Sequence, residues 1–90
     1  MEFEWSAAKA AYNLRGHGVS FQEGASVFAD PLAYTFPDVE HSFGEQRWLT
    51  FGLSDRHRLL VVVHLEHNGR VRIVSAREAT KHERQIYEEG

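Results

Sequence analysis

Apolar residues recur at helical spacing in the first part of the chain. Ser6 is suited to cap a helix, because its hydroxyl can accept a hydrogen bond from a free amide of the first turn. Within RGHG at 15–18, Gly16 or Gly18 offers the left-handed residue that ends many helices. We therefore predict a first helix between these signals. Its apolar face comprises Ala7, Ala11 and Leu14.

A second helix is predicted to begin immediately afterwards. Ser20 and Glu23 show the S-x-x-E spacing of a capping box, in which each side chain bonds an amide near the other. Pro31 ends this helix, since proline disfavours helical geometry at Asp30. The apolar face of the second helix comprises Phe21, Ala25 and Phe28.

The rest of the chain is mainly extended, with polar loops between apolar runs. A second capping box, Thr80 to Glu83, opens a short C-terminal helix. We predict one α+β domain over residues 1–90: an antiparallel four-stranded meander with two N-terminal helices on one face and the C-terminal helix on the other. The four strands are LAYTF, RWLTFGL, LLVVVHLE and RVRIVSA, and EFEW at 2–5 is a weaker candidate for an edge strand.

The last hairpin decides which side chains share a face of this sheet. A two-residue loop, Asn68-Gly69, would set charged residues opposite apolar ones throughout. A three-residue loop that adds His67 sets apolar residues opposite each other and His64 opposite Arg72. Because a one-residue slip moves a whole strand to the other face, we predict the three-residue loop. The open half of the sheet is then basic, either as an anion-binding cleft or simply as a solvated surface.

Charge is distributed unevenly along the chain. Residues 1–45 contain two basic and seven acidic residues, a net charge of −5, whereas residues 46–90 contain eight basic and six acidic residues, a net charge of +2. The overall charge of −3 argues weakly against nucleic acid. The asymmetry instead indicates a charged partner on one side, although uneven scatter by chance would give the same count.

Several classes of protein are excluded or disfavoured by composition. The absence of cysteine excludes disulfide scaffolds, cysteine-based zinc sites and thiol nucleophiles. His64 and His67 point to opposite faces of a strand, so we predict no metal site and no cofactor. No apolar run approaches the length of a membrane span, and the acidic N-terminus does not resemble a signal peptide. We expect a cytoplasmic protein without membrane contact.

Four blocks of the sequence carry a family resemblance that covers nearly the whole chain. The blocks are FEW, AK and HGVSF within residues 3–31, HSFGEQRW at 41–48, LLVVVH at 59–64, and RIVSAREAT with the following ER and YE at 72–88. Together they resemble the BrnT family, the toxins of a type II toxin–antitoxin system. The resemblance implies a RelE-like ribonuclease fold, cleavage of RNA that arrests translation, and a BrnA-like ribbon-helix-helix antitoxin. DNA would be bound only through the antitoxin complex.

On this interpretation the basic face cuts RNA without a metal ion. We assign the acid/base role to His64, because imidazole titrates near working pH. Arg72 and Arg77 are predicted to clamp the phosphate, since guanidinium offers two parallel donors. The alternative is a non-catalytic binding module whose basic face docks an acidic protein or RNA. Weaker candidates for contacts to RNA are Arg47, Arg70 and Tyr87.

Overall fold

In a computed structural model, which describes all of residues 1–90, five strands form one mixed sheet and three helices surround it. The elements in chain order are β1 (Phe3–Glu4), α1 (Ala7–His17), α2 (Phe21–Ser26) with a 3₁₀ turn at Val27–Ala29, β2 (Tyr34–Pro37), β3 (Trp48–Leu53), β4 (Leu59–His67), β5 (Arg70–Glu78) and α3 (Lys81–Glu89).

The sheet order is β1-β5-β4-β3-β2, and β2 to β5 form an antiparallel meander. The predicted α+β class and the meander are therefore correct. The count of four antiparallel strands is wrong, because β1 adds a fifth strand that runs parallel to β5. Packing explains this short strand: Phe3 lies opposite Val71 in the sheet, and its ring contacts Phe28 with the centroids 5.2 Å apart.

The sequence analysis predicted that the two N-terminal helices lie on one face of the sheet, but they do not. The α2 helix packs on the face that carries Val62 and Ala76, and a side chain at Gly24 would lie only 3.2 Å from the Ala76 methyl group. The α1 helix instead runs along the edge of β5. Since β1 pairs only with residues 71 and 72, the rest of that edge has no neighbouring strand.

Asn13 of α1 takes the place of the missing strand. Its amide donates to the carbonyl of Ala76 at 2.7 Å, and its side-chain oxygen accepts from the Ala76 amide at 3.1 Å. The same amide nitrogen donates to the carbonyl of Val19 at 2.9 Å. Buried backbone groups need such partners, so one side chain both completes the β5 edge and fixes α1 against it.

The predicted caps are largely confirmed. Ser6 accepts from Lys9, Gly18 ends α1 with φ 69°, and the Thr80–Glu83 capping box is complete. Ser20 accepts from the Glu23 amide, but the Glu23 carboxylate does not return to Ser20. It is buried and binds Arg58 and Ser54, which join α2 to the β3–β4 turn. Arg58 lowers the pKa of Glu23, so this buried carboxylate stays ionised.

The predicted three-residue hairpin loop is wrong. His67 pairs with Arg70 across a two-residue turn, in which Asn68 and Gly69 both have positive φ, at 54° and 76°. These values match the hairpin turn whose twist suits two antiparallel strands. The register then shifts by one residue between Val63 and His64. A β-bulge at this point leaves Val74 as the extra residue.

The bulge restores the pairing of apolar residues that the two-residue turn alone would disrupt. On the side of the bulge away from the turn, Val62 pairs with Ala76, and both side chains lie in the core under α2.

We name the side of the sheet under α2 the helix face, and the other side, against which α3 lies, the cleft face. Helix-face residues include Leu60, Val62, His64, Ile73 and Ala76. Cleft-face residues include Val61, Val63, Arg72, Ser75 and Arg77.

We predict that Asn13→Ala lowers the free energy of unfolding by about 3 kcal/mol, because buried carbonyl and amide groups of residues 76 and 19 lose their partners. Urea unfolding followed by circular dichroism would measure the change. Gln22→Ala, at an exposed position of α2, is the control and should change it by less than about 0.5 kcal/mol. Equal effects of the two substitutions would contradict the role given to Asn13.

Candidate functional site

Two adjoining cavities on the cleft face, of about 430 and 230 Å³, bring acidic, basic and imidazole side chains together. They share Asp38, His41 and Val63, so they are parts of one cleft. On one side the cleft is lined by Leu49, Arg77 and Glu83, and on the other by Lys9, Arg47, Val74 and Ser75.

A closed loop between β2 and β3 forms one wall of the cleft. The amide of Asp38 donates to the carbonyl of Arg47 at 2.8 Å, which extends the hairpin by one pair. Inside the loop, the Ser42 hydroxyl donates to the Asp38 carbonyl at 2.6 Å and accepts from the Arg47 amide at 2.9 Å. These bonds hold His41 at a defined position over the sheet.

His41 and Asp38 form a carboxylate–imidazole pair at the centre of the cleft. The Nδ1 atom of His41 lies 3.1 and 3.2 Å from the two carboxylate oxygens of Asp38. Because an ionised carboxylate can only accept, the neutral imidazole carries its proton on Nδ1 and keeps the lone pair on Nε2. The carboxylate is 10% exposed and the imidazole 62% exposed, so Asp38 is a buried support and His41 is open to a ligand.

Arg77 is the best-fixed cation of the cleft. Its two terminal nitrogens donate to the two carboxylate oxygens of Glu83 at 2.7 and 2.8 Å. This bidentate contact, with a further bond from the Thr80 amide, lowers the pKa of Glu83 to about 2. The same contact raises the pKa of Arg77. The pair is therefore ionised at every physiological pH, and α3 sets the direction of the guanidinium.

Arg47 has unused donor capacity. Its Nε atom is buried and has no hydrogen-bond partner, and one terminal nitrogen lies 3.5 Å from Glu45 in a weak contact. An unpaired buried donor is costly, since it has lost water without gaining a protein partner. Lys9, from the first turns of α1, adds another positive charge to the same cavity. Arg47, Arg77 and Lys9 therefore give the cleft three cations suited to an anion such as phosphate.

His64 lies on the opposite side of the sheet from this cleft. It is buried, its Nε2 atom lies 2.7 Å from the Thr50 hydroxyl, and its ring contacts Phe28 at 4.9 Å. Burial lowers the pKa of His64 to about 4, so the ring is neutral at pH 7. The prediction that His64 faces Arg72 in one cleft is wrong, because the two-residue turn places Ile73 opposite His64.

The other predicted contacts are dispersed. Arg72 shares a face with Arg77 but lies nearer the hairpin turn, where it donates to Glu4 at 2.9 Å. Arg70 is ion-paired with Glu2 at 3.0 Å. Tyr87 donates to Asp30 at 2.6 Å, which raises the pKa of its hydroxyl to about 12. Tyr87 thus anchors α3 and lines neither cavity of the cleft.

Sequence reasoning named Arg47 and Arg77 but did not name Lys9, Asp38 or His41 as site residues. The available signal was the D-x-x-H spacing in a polar loop, which suits a local carboxylate–imidazole pair. No local signal exists for Lys9, because α1 reaches the cleft only through its tertiary position beside β5. No group of three or more histidine, aspartate or glutamate side chains is placed to hold a metal ion.

Comparison with known proteins identifies the family. The model of the family described as ribonuclease toxin, BrnT, of type II toxin–antitoxin system matches residues 5–83. The chain belongs to this family. The resemblance found in the sequence is therefore confirmed, and this BrnT family member is a ribonuclease toxin of a type II toxin–antitoxin system.

A solved structure supports the fold. The crystal structure of the Brucella abortus ribonuclease toxin BrnT matches with a TM-score of 0.70 over 90% of this chain and 99% of that chain. The two sequences are 19% identical, so the match shows a shared fold. No curated protein sequence matches this BrnT family member significantly. None of its helices is long and apolar enough to cross a membrane.

We predict that His64 makes this toxin less stable as pH falls from about 6.5 to about 4. The unfolded chain binds a proton there that the folded protein excludes, so the stability present above pH 6.5 is lost at up to about 1.4 kcal/mol per pH unit. His64→Gln removes this titration and should flatten the pH dependence of urea unfolding. His82→Gln, on the exposed side of α3, is the control and should keep the parent slope.

Proposed function

We propose that this toxin is an endoribonuclease that uses the cleft-face site and needs no metal ion. The supporting observation is the His41–Asp38 pair, whose free Nε2 shares a cleft with Arg47, Arg77 and Lys9. These groups combine an imidazole whose Nε2 can accept a proton with fixed positive charge, which are the two requirements for attack of a ribose 2′-hydroxyl on the adjoining phosphodiester.

In the proposed reaction, Nε2 of His41 accepts the proton of the 2′-hydroxyl while its oxygen attacks the neighbouring phosphorus. Asp38 holds the ring in the required tautomer and stabilises the imidazolium that forms. Arg77 and Arg47 stabilise the negative charge of the phosphorane, as preorganised donors do in other sites. The bond to the 5′-oxygen breaks, and the leaving oxygen takes a proton from solvent. The products are a 2′,3′-cyclic phosphate and a 5′-hydroxyl end.

The acid/base role first given to His64 passes to His41 in this proposal. Arg77 keeps the phosphate role assigned from the sequence, and Arg47, there a weaker candidate for contact with RNA, takes the phosphate role first given to Arg72. Arg72 and Arg70 are placed at the edge of the substrate path as secondary phosphate contacts. Their ion pairs with Glu4 and Glu2 must open for this, which surface ion pairs do at little cost. Tyr87 is proposed to support α3 rather than to bind RNA.

The proposed partner is a BrnA-like ribbon-helix-helix antitoxin that binds in the cytoplasm and covers the cleft, with contact to DNA only through that antitoxin. Two exposed apolar side chains of the β2–β3 loop support this placement: Val39 and Phe43 are 81% and 82% exposed beside His41. Exposed apolar groups at the rim of a polar cleft are typical anchors for a protein partner.

The competing function is a non-catalytic binding module. The observation in its favour is the Arg77–Glu83 pair, because a carboxylate already neutralises the best-fixed cation of the cleft. In that case the chain would retain an RNA or an acidic protein without cutting it. Direct tests of cleavage distinguish the two functions.

We predict that His41→Ala lowers kcat for cleavage of a labelled RNA by about 100-fold or more, because a general base contributes on that scale. His82→Ala is the matched control, since His82 is an exposed histidine that lines neither cavity. Circular dichroism would verify that both variants fold. Unchanged cleavage by His41→Ala would contradict its role as the base, and loss of cleavage in a folded His64→Gln variant would favour the role first given to His64.

We predict that EDTA, in an excess over protein on the order of a thousandfold, leaves the cleavage rate unchanged. The reason is that the three cations of the cleft supply the positive charge that a metal ion would otherwise supply. Sequencing gel analysis with and without chelator measures the rate. Loss of cleavage that added Mg²⁺ restores would contradict metal independence. Absence of cleavage under every condition, with RNA still retained, would favour the binding module.

A further inference from the structure

The cleft continues past Lys9 into a third cavity. This cavity, of about 370 Å³, shares Lys9, Val74 and Ser75 with the part of the cleft that holds His41. Its other lining residues belong to α1: Ala8, Tyr12, Asn13 and His17. A single groove therefore runs from Glu83 and Arg77, past His41 and Arg47, to the outer surface of α1. We name the section beyond Lys9 the α1 groove.

The β-bulge and the short β1 strand together produce the α1 groove. Because β1 ends opposite Arg72, the next residues of β5 have no strand beside them, and the extra residue Val74 lies at that point. The α1 helix is joined there through the Asn13 side chain rather than through a backbone ladder. A helix attached in this way leaves a furrow along the edge of the sheet, and Val74 and Ser75 form its floor.

The α1 groove has the two chemical features that single-stranded nucleic acid requires. Tyr12 lines it with a phenol ring that is 74% exposed and makes no hydrogen bond within the chain. Lys9 lies three residues earlier on the same side of the helix. The helix contains no acidic residue, although the whole protein carries a net charge of −3. An exposed aromatic ring beside a cation is a stacking platform for a base and its phosphate.

We propose that the α1 groove is an extension subsite for single-stranded RNA, in which a base lying beyond the cut stacks on Tyr12 and the adjoining phosphate contacts Lys9. This inference rests on the proposed ribonuclease function and specifies its substrate: an extended, unpaired RNA segment. A duplex does not fit, because its bases are stacked on each other and cannot present a face to Tyr12. The groove therefore selects for single strands and for substrates long enough to reach α1.

The matched control is Leu14, which is also a large exposed side chain of α1. It is 52% exposed but does not line the α1 groove. Residues two positions apart on a helix point away from each other, so Leu14 reports the loss of an exposed apolar side chain of α1 outside the groove. Binding of RNA along the groove would use Tyr12 alone.

The test compares two single-stranded RNAs with the same cut site, one of about three nucleotides and one extended by about six nucleotides on each side. We expect the parent protein to favour the longer RNA. Tyr12→Ala should reduce the ratio of the two kcat/KM values about tenfold, through KM for the longer RNA, as loss of one base–aromatic stack does. Tyr12→Trp should preserve the ratio, and Leu14→Ala should leave it at the parent value.

The remaining outcomes separate this inference from the function on which it rests. If the parent cuts both RNAs and Tyr12→Ala keeps the full length preference, the subsite is wrong while the ribonuclease function stands. If Tyr12→Ala weakens antitoxin binding and leaves the length preference unchanged, this side of α1 is a protein contact and the subsite is again wrong. If the parent cuts neither RNA, the ribonuclease function fails and the subsite with it.

Discussion

The side chain of Asn13 is the contact on which the arrangement of this molecule depends. It forms both hydrogen bonds that a neighbouring strand would otherwise make with Ala76, at a point where the sheet edge is buried. Without this contact, α1 would lose its side-chain hydrogen bonds to β5, and the buried amide and carbonyl of Ala76 would lack partners. The wall that Lys9 adds to the cleft and the furrow beyond it both follow from where Asn13 holds the helix.

The electrostatics of the cleft resolve an apparent conflict between an acidic protein and an anionic substrate. A carboxylate orients both the best-fixed cation and the imidazole of the cleft: Glu83 orients Arg77, and Asp38 orients His41. The cost is reduced net charge, since the carboxylates offset part of the attraction for phosphate. The gain is preorganisation, because groups already fixed in direction need no rearrangement when charge develops. The lining is thus balanced in formal charge, with Lys9, Arg47 and Arg77 offset by Asp38, Glu40 and Glu83, and the cations differ from the rest of the surface in their fixed positions rather than in their number.

The outcome for the hairpin shows where sequence reasoning failed. Matching apolar residues across the strands favoured a three-residue loop, which assumed that one register holds along the whole hairpin. The structure uses the two-residue turn that Asn68-Gly69 suits and corrects the register with a bulge at Val74. A bulge depends on the packing of both faces and leaves no local mark in the residue pattern. That single error placed His64 in the cleft, whereas it is a neutral, buried ring against Phe28.

By itself, the sequence determined the local structure and the family: the caps at Ser6 and Thr80, the meander, and the four blocks that mark a BrnT family member. The caps and the meander depend on contacts between residues close in the chain. The family is recognised from a pattern of residues along the chain, for which the three-dimensional structure is not needed. Tertiary structure alone decided which functional groups meet. His41, Arg77 and Lys9 are separated by more than thirty residues from one another, and only the register of β5 and the attachment of α1 bring them to one cleft. Such long-range placement depends on how edges and faces are covered, which no local pattern encodes.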